Sequence, residues 1–305
     1  VAGYDFIVIG AGSAGCAVAG RLASDSSSTV LLIEAGGTDR RFTIRAPLAF
    51  ALQFGTSLDW AYESGPEPGC AGRRIKLPRG RALGGTSGMN AMIWVKGSNL
   101  DYDGWRVPGW AWTDVAPVFA RMERRMHVAR LQDPDELSSL FVTSARAAGV
   151  PANDDVSGPE LDGAAISSVT IDRGQRWNTA RGYLGHQKNL TVVTRAHVQR
   201  VVLQDGRATE PIASAVDREL VPGAGRDIEA VIRETAITAS HPGCTVAMGT
   251  DPDSPLDEKL RVRGVRGLRV ADASALPVLP RANTNAPSIM IGERRLRAVR
   301  RTLGA

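Results

Sequence analysis

Tyr4-Asp5-Phe6-Ile7-Val8-Ile9-Gly10-Ala11-Gly12-Ser13-Ala14-Gly15 is the stretch whose reading decides the fold. Its first half is a short apolar run rich in β-branched residues, the pattern of a buried strand in a parallel sheet. Its second half spells Gly-x-Gly-x-x-Gly. Residues Cys16 to Ala23 then read as a helix with small residues on the face that approaches the sheet, and Thr29-Val30-Leu31-Leu32-Ile33 reads as a second strand ending in Glu34. Each part of this βαβ unit has a physical task. Gly10 permits the tight turn, Gly12 lets the backbone approach a pyrophosphate, and Gly15 lets helix and strand pack closely. Free N–H groups and the dipole at the helix N-terminus receive phosphate charge. Glu34 stands where a carboxylate accepts hydrogen bonds from ribose hydroxyls, and a carboxylate there disfavours the 2′-phosphate of NADP. The glycines alone are weak evidence. Strand, glycines, helix, strand and acid in order point to a dinucleotide, without separating NAD from FAD.

The 305 residues suffice for one large domain or two small ones, and 43% hydrophobic content is ordinary for a globular chain. The net charge of +5 comes from 37 Lys+Arg against 32 Asp+Glu and is mostly arginine spread along the chain. Its densest cluster, Arg294, Arg295, Arg297, Arg300 and Arg301, reads as a solvated helix face. Without interleaved aromatics or a known module, no nucleic-acid partner is expected. Cys16, Cys70 and Cys244 are widely spaced and form no CxxC pair, so neither a metal site nor a disulfide framework is indicated. No apolar run is long enough to span a membrane. With a strand pattern at the start and no cleavable leader, a cytoplasmic location is expected.

Further blocks sharpen the reading. They are Leu77-Pro78-Arg79-Gly80-Arg81-Ala82-Leu83-Gly84-Gly85-Thr86-Ser87-Gly88-Met89-Asn90-Ala91-Met92, then Asp101-Tyr102-Asp103-Gly104-Trp105 and Pro108-Gly109-Trp110-Ala111-Trp112. Near the end stand His241-Pro242-Gly243-Cys244-Thr245-Val246-Ala247-Met248-Gly249, Gly267-Leu268-Arg269-Val270-Ala271-Asp272-Ala273-Ser274, and Asn283-Thr284-Asn285-Ala286-Pro287. Gly84, Gly85 and Ser87 make a small-residue loop that can lie against a flat cofactor. Asn90 is a polar residue suited either to a heteroaromatic ring edge or to capping the next turn. Asp272 follows an expected strand over Leu268–Val270, where it can meet a ligand, cap the next helix, or do both.

Taken together and in this order, the blocks resemble the glucose–methanol–choline (GMC) oxidoreductase family. The resemblance implies an α/β fold: a Rossmann-like FAD-binding domain with a parallel sheet, plus a reduced α+β substrate-binding domain. The FAD-binding part is expected over residues 1–125, 160–209 and 262–305, and the remnant of the cap over 126–159 and 210–261. The expected cofactor contacts are Gly10, Gly12, Ser13, Ala14, Gly15, Glu34, Ala35, Arg81, Gly84, Gly85, Ser87, Asn90, Ala91, Met92, Val198, Asp272, Ala273, Asn283, Thr284 and Asn285. Some relatives tether FAD through a histidine just before the residue matching Asn90. Met89 stands there, so FAD is expected to be held non-covalently.

Oxidising an alcohol on a flavin requires a base for the hydroxyl proton and a group to orient the alkoxide, while hydride reaches flavin N5. Of four histidines, His127, His186 and His197 have plain settings: the start of a strand-like run, a turn, and the interior of an expected strand Leu190–Leu203. His241 matches the family's catalytic base, and Asn283 matches its partner. Cys244 and Val246 depart from the commonest pattern, which concerns loop shape; Cys244 can line the pocket or be a small buried hydrophobe. A helix from Pro287 onward would aim its positive end at the loop before it. The expected donor is a primary or secondary alcohol, and the acceptor is oxygen or another carrier. Alternative activities on this fold are a flavin-dependent lyase, a fatty-acid photodecarboxylase, or flavin binding without activity.

The region between Leu203 and His241 is much shorter than in the family, with smaller losses near Arg106-Val107 and Arg125-Met126. Either the protein has lost a strand set, or the sequence joins segments that are separate in the complete protein. The second is favoured, because losing internal strands exposes core at roughly 25 cal/mol per Å²; it predicts a break at Thr209–Glu210. The segment from Ile212 to Ala236 reads as helix. Trp60, Trp94, Trp105, Trp110 and Trp112 read as core residues rather than a substrate wall.

Overall fold

A computed structural model describes residues 3–25, 27–131, 133–156, 158, 160–185, 187–213 and 238–294. In chain order its elements are β1 (Phe6–Ile9), α1 (Ser13–Asp25), β2 (Val30–Ile33), α2 (Phe42–Arg45), β3 (Tyr62–Glu67), β4 (Arg73–Leu77), α3 (Asn99–Gly104), α4 (Trp112–Arg125), β5 (Ala129–Arg130), α5 (Glu136–Ala147), β6 (Ser168–Val169), β7 (Ile171–Asp172), β8 (Gln175–Arg176), α6 (Thr179–Tyr183), β9 (Leu190–Val193), β10 (Val198–Gln204), β11 (Arg207–Ala213) and α7 (Asn285–Arg294).

The expected βαβ unit is present. β1 and β2 pair in parallel from Phe6 opposite Val30 to Ile9 opposite Ile33. β9 adds in parallel to the other side of β2, giving the order β1-β2-β9. α1 starts at Ser13, ahead of the small-residue pattern, and buries Cys16, Ala17 and Ala19. Those small side chains let other backbone come close. A Cβ on Gly292 of α7 would lie 2.5 Å from the carbonyl oxygen of Ala14, so α7 docks directly on the first turn of α1. Ile289, Met290 and Ile291 are fully buried in the same core.

α4 closes this core from outside. Val115, Val118, Phe119 and Met122 recur at helical spacing and are buried, and Arg124 and Arg125 in its last turn suit the helix dipole. Trp94, Trp105 and Trp110 are core residues; Trp105 and Trp110 donate their ring N–H to the carbonyls of Val278 and Glu258, both at 3.0 Å. A buried indole N–H needs such an acceptor.

Several expectations are corrected. The single strand over Leu190–Leu203 is two strands, β9 and β10. Between them Arg195 is left-handed (φ 57), and Arg195 and Ala196 donate N–H to the carbonyls of Gly36 and Glu34, which turns the chain off the sheet. His197 therefore precedes a strand instead of lying inside one, and its ring stands edge-on to Trp60 at 4.9 Å. Leu268–Val270 forms no strand; Arg269 makes an isolated bridge to Arg261. Thr209 and Glu210 lie inside β11, which pairs with β10 across the turn Asp205-Gly206. Ile212 and Ala213 belong to that strand, not to a helix; the rest of the expected helix, His186 and the arginines beyond Arg294 lie outside the described residues. Among the described residues no helix is long and apolar enough to cross a membrane.

Candidate active site

The three fingerprint glycines occupy three different environments. Gly10 turns with φ +88, as the end of β1 requires. A Cβ on Gly12 would meet nothing within 4 Å, so open space lies beside that backbone. A Cβ on Gly15 would lie 1.9 Å from the carbonyl oxygen of Gly10, which forbids any side chain there. Glu34 is buried, and its two carboxylate oxygens accept from the N–H of Ala11 (2.9 Å) and of Gly36 (2.7 Å). It thereby ties the turn after β1 to the turn after β2. Burial raises its pKa, against the hydrogen bonds from Gly36 and Ala11 and the charges of Arg81 and His197. Ala35 follows it, half-buried. Arg81 lies over the Trp60 ring, 5.0 Å from its centroid, and its Nε is a buried donor with no partner.

The small-residue loop lies against this unit. A Cβ on Gly85, itself at φ +51, would sit 2.6 Å from the Cα of Gly12. Gly84 donates its N–H to Ala11 O at 2.8 Å. Ser87 Oγ donates to Gly84 O (2.6 Å), accepts from Thr179 N (3.0 Å) and meets Thr179 Oγ1 at 2.8 Å. Asn90 is turned inward by its oxygen, which accepts from Met92 N (3.1 Å) and Arg176 Nη1 (2.8 Å). That is the turn-capping alternative, and it leaves the amide nitrogen as the group able to meet a ring edge. Met89 and Met92 are buried, and Ala91 is exposed beside them.

His241 and Asn283, 42 residues apart, are in direct contact. Asn283 Nδ2 lies 2.7 Å from His241 Nε2, and His241 Nδ1 lies 3.1 Å from Thr284 Oγ1. Thr284 also donates its backbone N–H to Nδ1 at 3.4 Å, so both ring nitrogens are engaged, Nδ1 by Thr284 and Nε2 by Asn283. Burial and then the nearby Arg79 guanidinium hold the imidazole pKa below the usual histidine range, so the ring is neutral at pH 7. The His241 segment is fixed by N–H donation from Cys244 to Ala273 O and from Val246 to Ser274 O. Cys244 is half-buried at φ 64 and packs against the core. Asp272, exposed, accepts from Ser274 N (2.8 Å) and caps the short turn Ala273–Ala275. Ser13 Oγ donates to Asn285 Oδ1 at 2.8 Å, joining the start of α1 to the start of α7. Val198 opens β10 after His197.

Sequence reasoning missed the segment behind the loop. Arg176, Asn178 and Thr179 are all at least 99% buried. Asn178 caps α6 locally, accepting from Arg181 N at 3.0 Å, but the bonds of the Arg176 and Thr179 side chains to residues 44 and 84–90 are more than 80 residues distant, so their polarity gave no sign of burial. The residues at the glycine fingerprint suit an FAD molecule. Open space flanks Gly12, Glu34 follows β2, the unpartnered Arg81 Nε is a donor near Glu34, and the small-residue loop lies against Gly12.

The sequence profile described as GMC oxidoreductase matches residues 4–235. An oxygen-dependent choline dehydrogenase of Paraburkholderia xenovorans (strain LB400) is 40% identical over 231 residues, covering 67% of this chain and 41% of that protein. An alcohol dehydrogenase [acceptor] of Pseudomonas putida is 35% identical over 226 residues, again 67% and 41%. The chain thus spans less than half the length of these relatives. Pyridoxine 4-oxidase from Mesorbium loti superposes with a TM-score of 0.85 at 20% identity, over 98% of this chain and 99% of that one, a likeness of fold. The chain belongs to the GMC oxidoreductase family and carries its FAD-binding domain.

Proposed function

We propose that this protein oxidises a primary or secondary alcohol with non-covalently bound FAD. The observation that carries the reading is the 2.7 Å contact between His241 Nε2 and Asn283 Nδ2. It puts an imidazole nitrogen and an amide side by side, the groups that removing a hydroxyl proton and orienting the resulting oxygen require. The neutral state of His241 makes it a competent acceptor at pH 7. Thr284 holds the ring through Nδ1. Gly10, Gly12 and Gly15 with the start of α1 would cradle the pyrophosphate, Glu34 the ribose, and the Gly84–Asn90 loop the ring system. When bound, FAD supplies the acceptor for the carbinol hydride. Met89, in place of a tethering histidine, supports release of the cofactor on denaturation.

The relatives' names support the same class: choline and alcohol dehydrogenases act on CH–OH donors. The test is anaerobic mixing of the flavin-loaded protein with a panel of alcohols. Bleaching of the oxidised flavin absorbance by at least one alcohol is expected, with none in His241→Ala. Substrate conversion that leaves the flavin oxidised throughout would replace this reading with a lyase.

A further inference from the structure

Arg176 is the most buried cation among the described residues, with a relative exposure of 1%. Its guanidinium is held by oxygen atoms of the peptide and amide type. Nε donates to Ile44 O at 2.8 Å. Nη1 donates to Asn90 O (2.7 Å), Asn90 Oδ1 (2.8 Å) and Ser87 O (3.3 Å). Nη2 is buried with no hydrogen-bond partner. Among the described residues no carboxylate lies within ion-pair distance of it, in contrast to Arg21 and Arg121, which share the buried Glu293. Burial depresses its pKa to about 10, so it stays charged at neutral pH.

A buried charge without a counterion is costly unless hydrogen bonds offset the lost hydration. Here the offset comes from Ile44 O of α2 and from Ser87 and Asn90 oxygens of one loop, and that loop is the one pressed against Gly12. Two consequences follow from the geometry. The fork of Nη1 bonds fixes the peptide at Ser87 and Asn90, so the loop keeps one shape. The charge also stands directly behind that loop, where burial screens it weakly, so it favours the more negative form of whatever rests on the loop. We propose that Arg176 is a positioning residue of the cofactor site, which fixes the Gly84–Asn90 loop and makes bound FAD easier to reduce. The inference rests on the FAD-binding reading and not on any particular alcohol.

The test compares the wild-type holoprotein with Arg176→Lys and Arg176→Met, measuring FAD affinity from the quenching of free FAD fluorescence and the midpoint potential of the bound flavin by dye equilibration. Lysine keeps the charge but cannot reproduce the fork of bonds. It should weaken FAD binding by about tenfold or more, the scale of lost hydrogen bonds to a charged group, with the potential near that of the wild type. Methionine should weaken binding further and shift the potential of the flavin-bound fraction to more negative values. A purely structural role would lower affinity in both variants without moving the potential, and that result overturns the proposal. Should the methionine variant not fold, Arg176→Gln takes its place as the charge-free variant: a potential more negative than that of Arg176→Lys supports the proposal, and an equal one overturns it. A wild-type protein that binds no FAD would instead sink the reading on which the proposal rests.

Discussion

The unit around α1 and the segment around α5 are built on opposite principles. At α1 the backbones of three elements approach so closely that single Cβ atoms would collide, as at Gly15 and Gly292. Buried polar side chains there, such as Glu34 and Ser87, bond across long sequence distances. α5 has none of this. Among its residues none is buried, and Leu137, Leu140 and Phe141 are exposed. Leu137 and Phe141 border an open cavity of about 480 Å³ together with Leu131, Ile166 and Val169. α5 is held by its own N-cap, Asp135 accepting from Ser138 N at 3.0 Å, and by Arg146 reaching Ala164 O at 2.9 Å. The first region has one tolerated geometry because its packing is backbone on backbone. The second keeps its helix through local bonds and leaves its apolar face without cover. The difference teaches that the FAD-binding part of this chain is specified by long-range contacts within the chain, while the segment around α5 is specified mainly by its neighbours in sequence.

The strongest test of that contrast is Gly15→Val. Its Cβ would lie inside the contact distance of Gly10 O, so the variant should lose about 3 kcal/mol or more of stability and all FAD binding, read by denaturant melts and flavin fluorescence. A variant that melts like the wild type would break the claim of backbone packing. Next comes His241→Ala, expected to lower kcat by about 10³-fold while FAD stays bound, within the usual range for a general base. Retained turnover would remove His241 from the reaction.

A smaller effect is expected in pH dependence. Because the His241 pKa is depressed, the base is lost only as pH falls below the usual value of about 6.5. The acid limb of kcat/KM should therefore lie under that value. Arg79→Gln removes the secondary cause and should move the limb upward part of the way, since burial remains. A limb unmoved by Arg79→Gln assigns the whole shift to burial. Ser13→Ala deletes the hydrogen bond between the starts of α1 and α7 and should cost about 1 kcal/mol. Least of all, Leu137→Ser with Phe141→Ser should change stability by no more than about 0.5 kcal/mol. A large loss in that pair would show that α5 is packed in solution and erase the contrast.

Much of the cofactor half was legible in the sequence because its signals are local. Gly10, Gly12 and Gly15 stand at fixed spacing between a strand and a helix, and the structure gives each the environment its position implied. His241 and Asn283 were legible only through resemblance to the family, since nothing near either residue announces the other. Asn90 was half legible: its polarity marked it, but the direction of its oxygen depends on Arg176, 86 residues later. The break between β9 and β10 was illegible, because the apolar pattern continues through it and the turn is made by hydrogen bonds to Glu34 and Gly36.

By itself, the sequence determined the βαβ unit, its dinucleotide loop and the family, because chain-local sterics and periodicity suffice for these. Only the tertiary structure decided that His241 meets Asn283, that Asn90 faces Arg176, and that a buried cation backs the Gly84–Asn90 loop. Those are contacts between segments tens to hundreds of residues apart, and burial assigns their energies only once the core has closed around them.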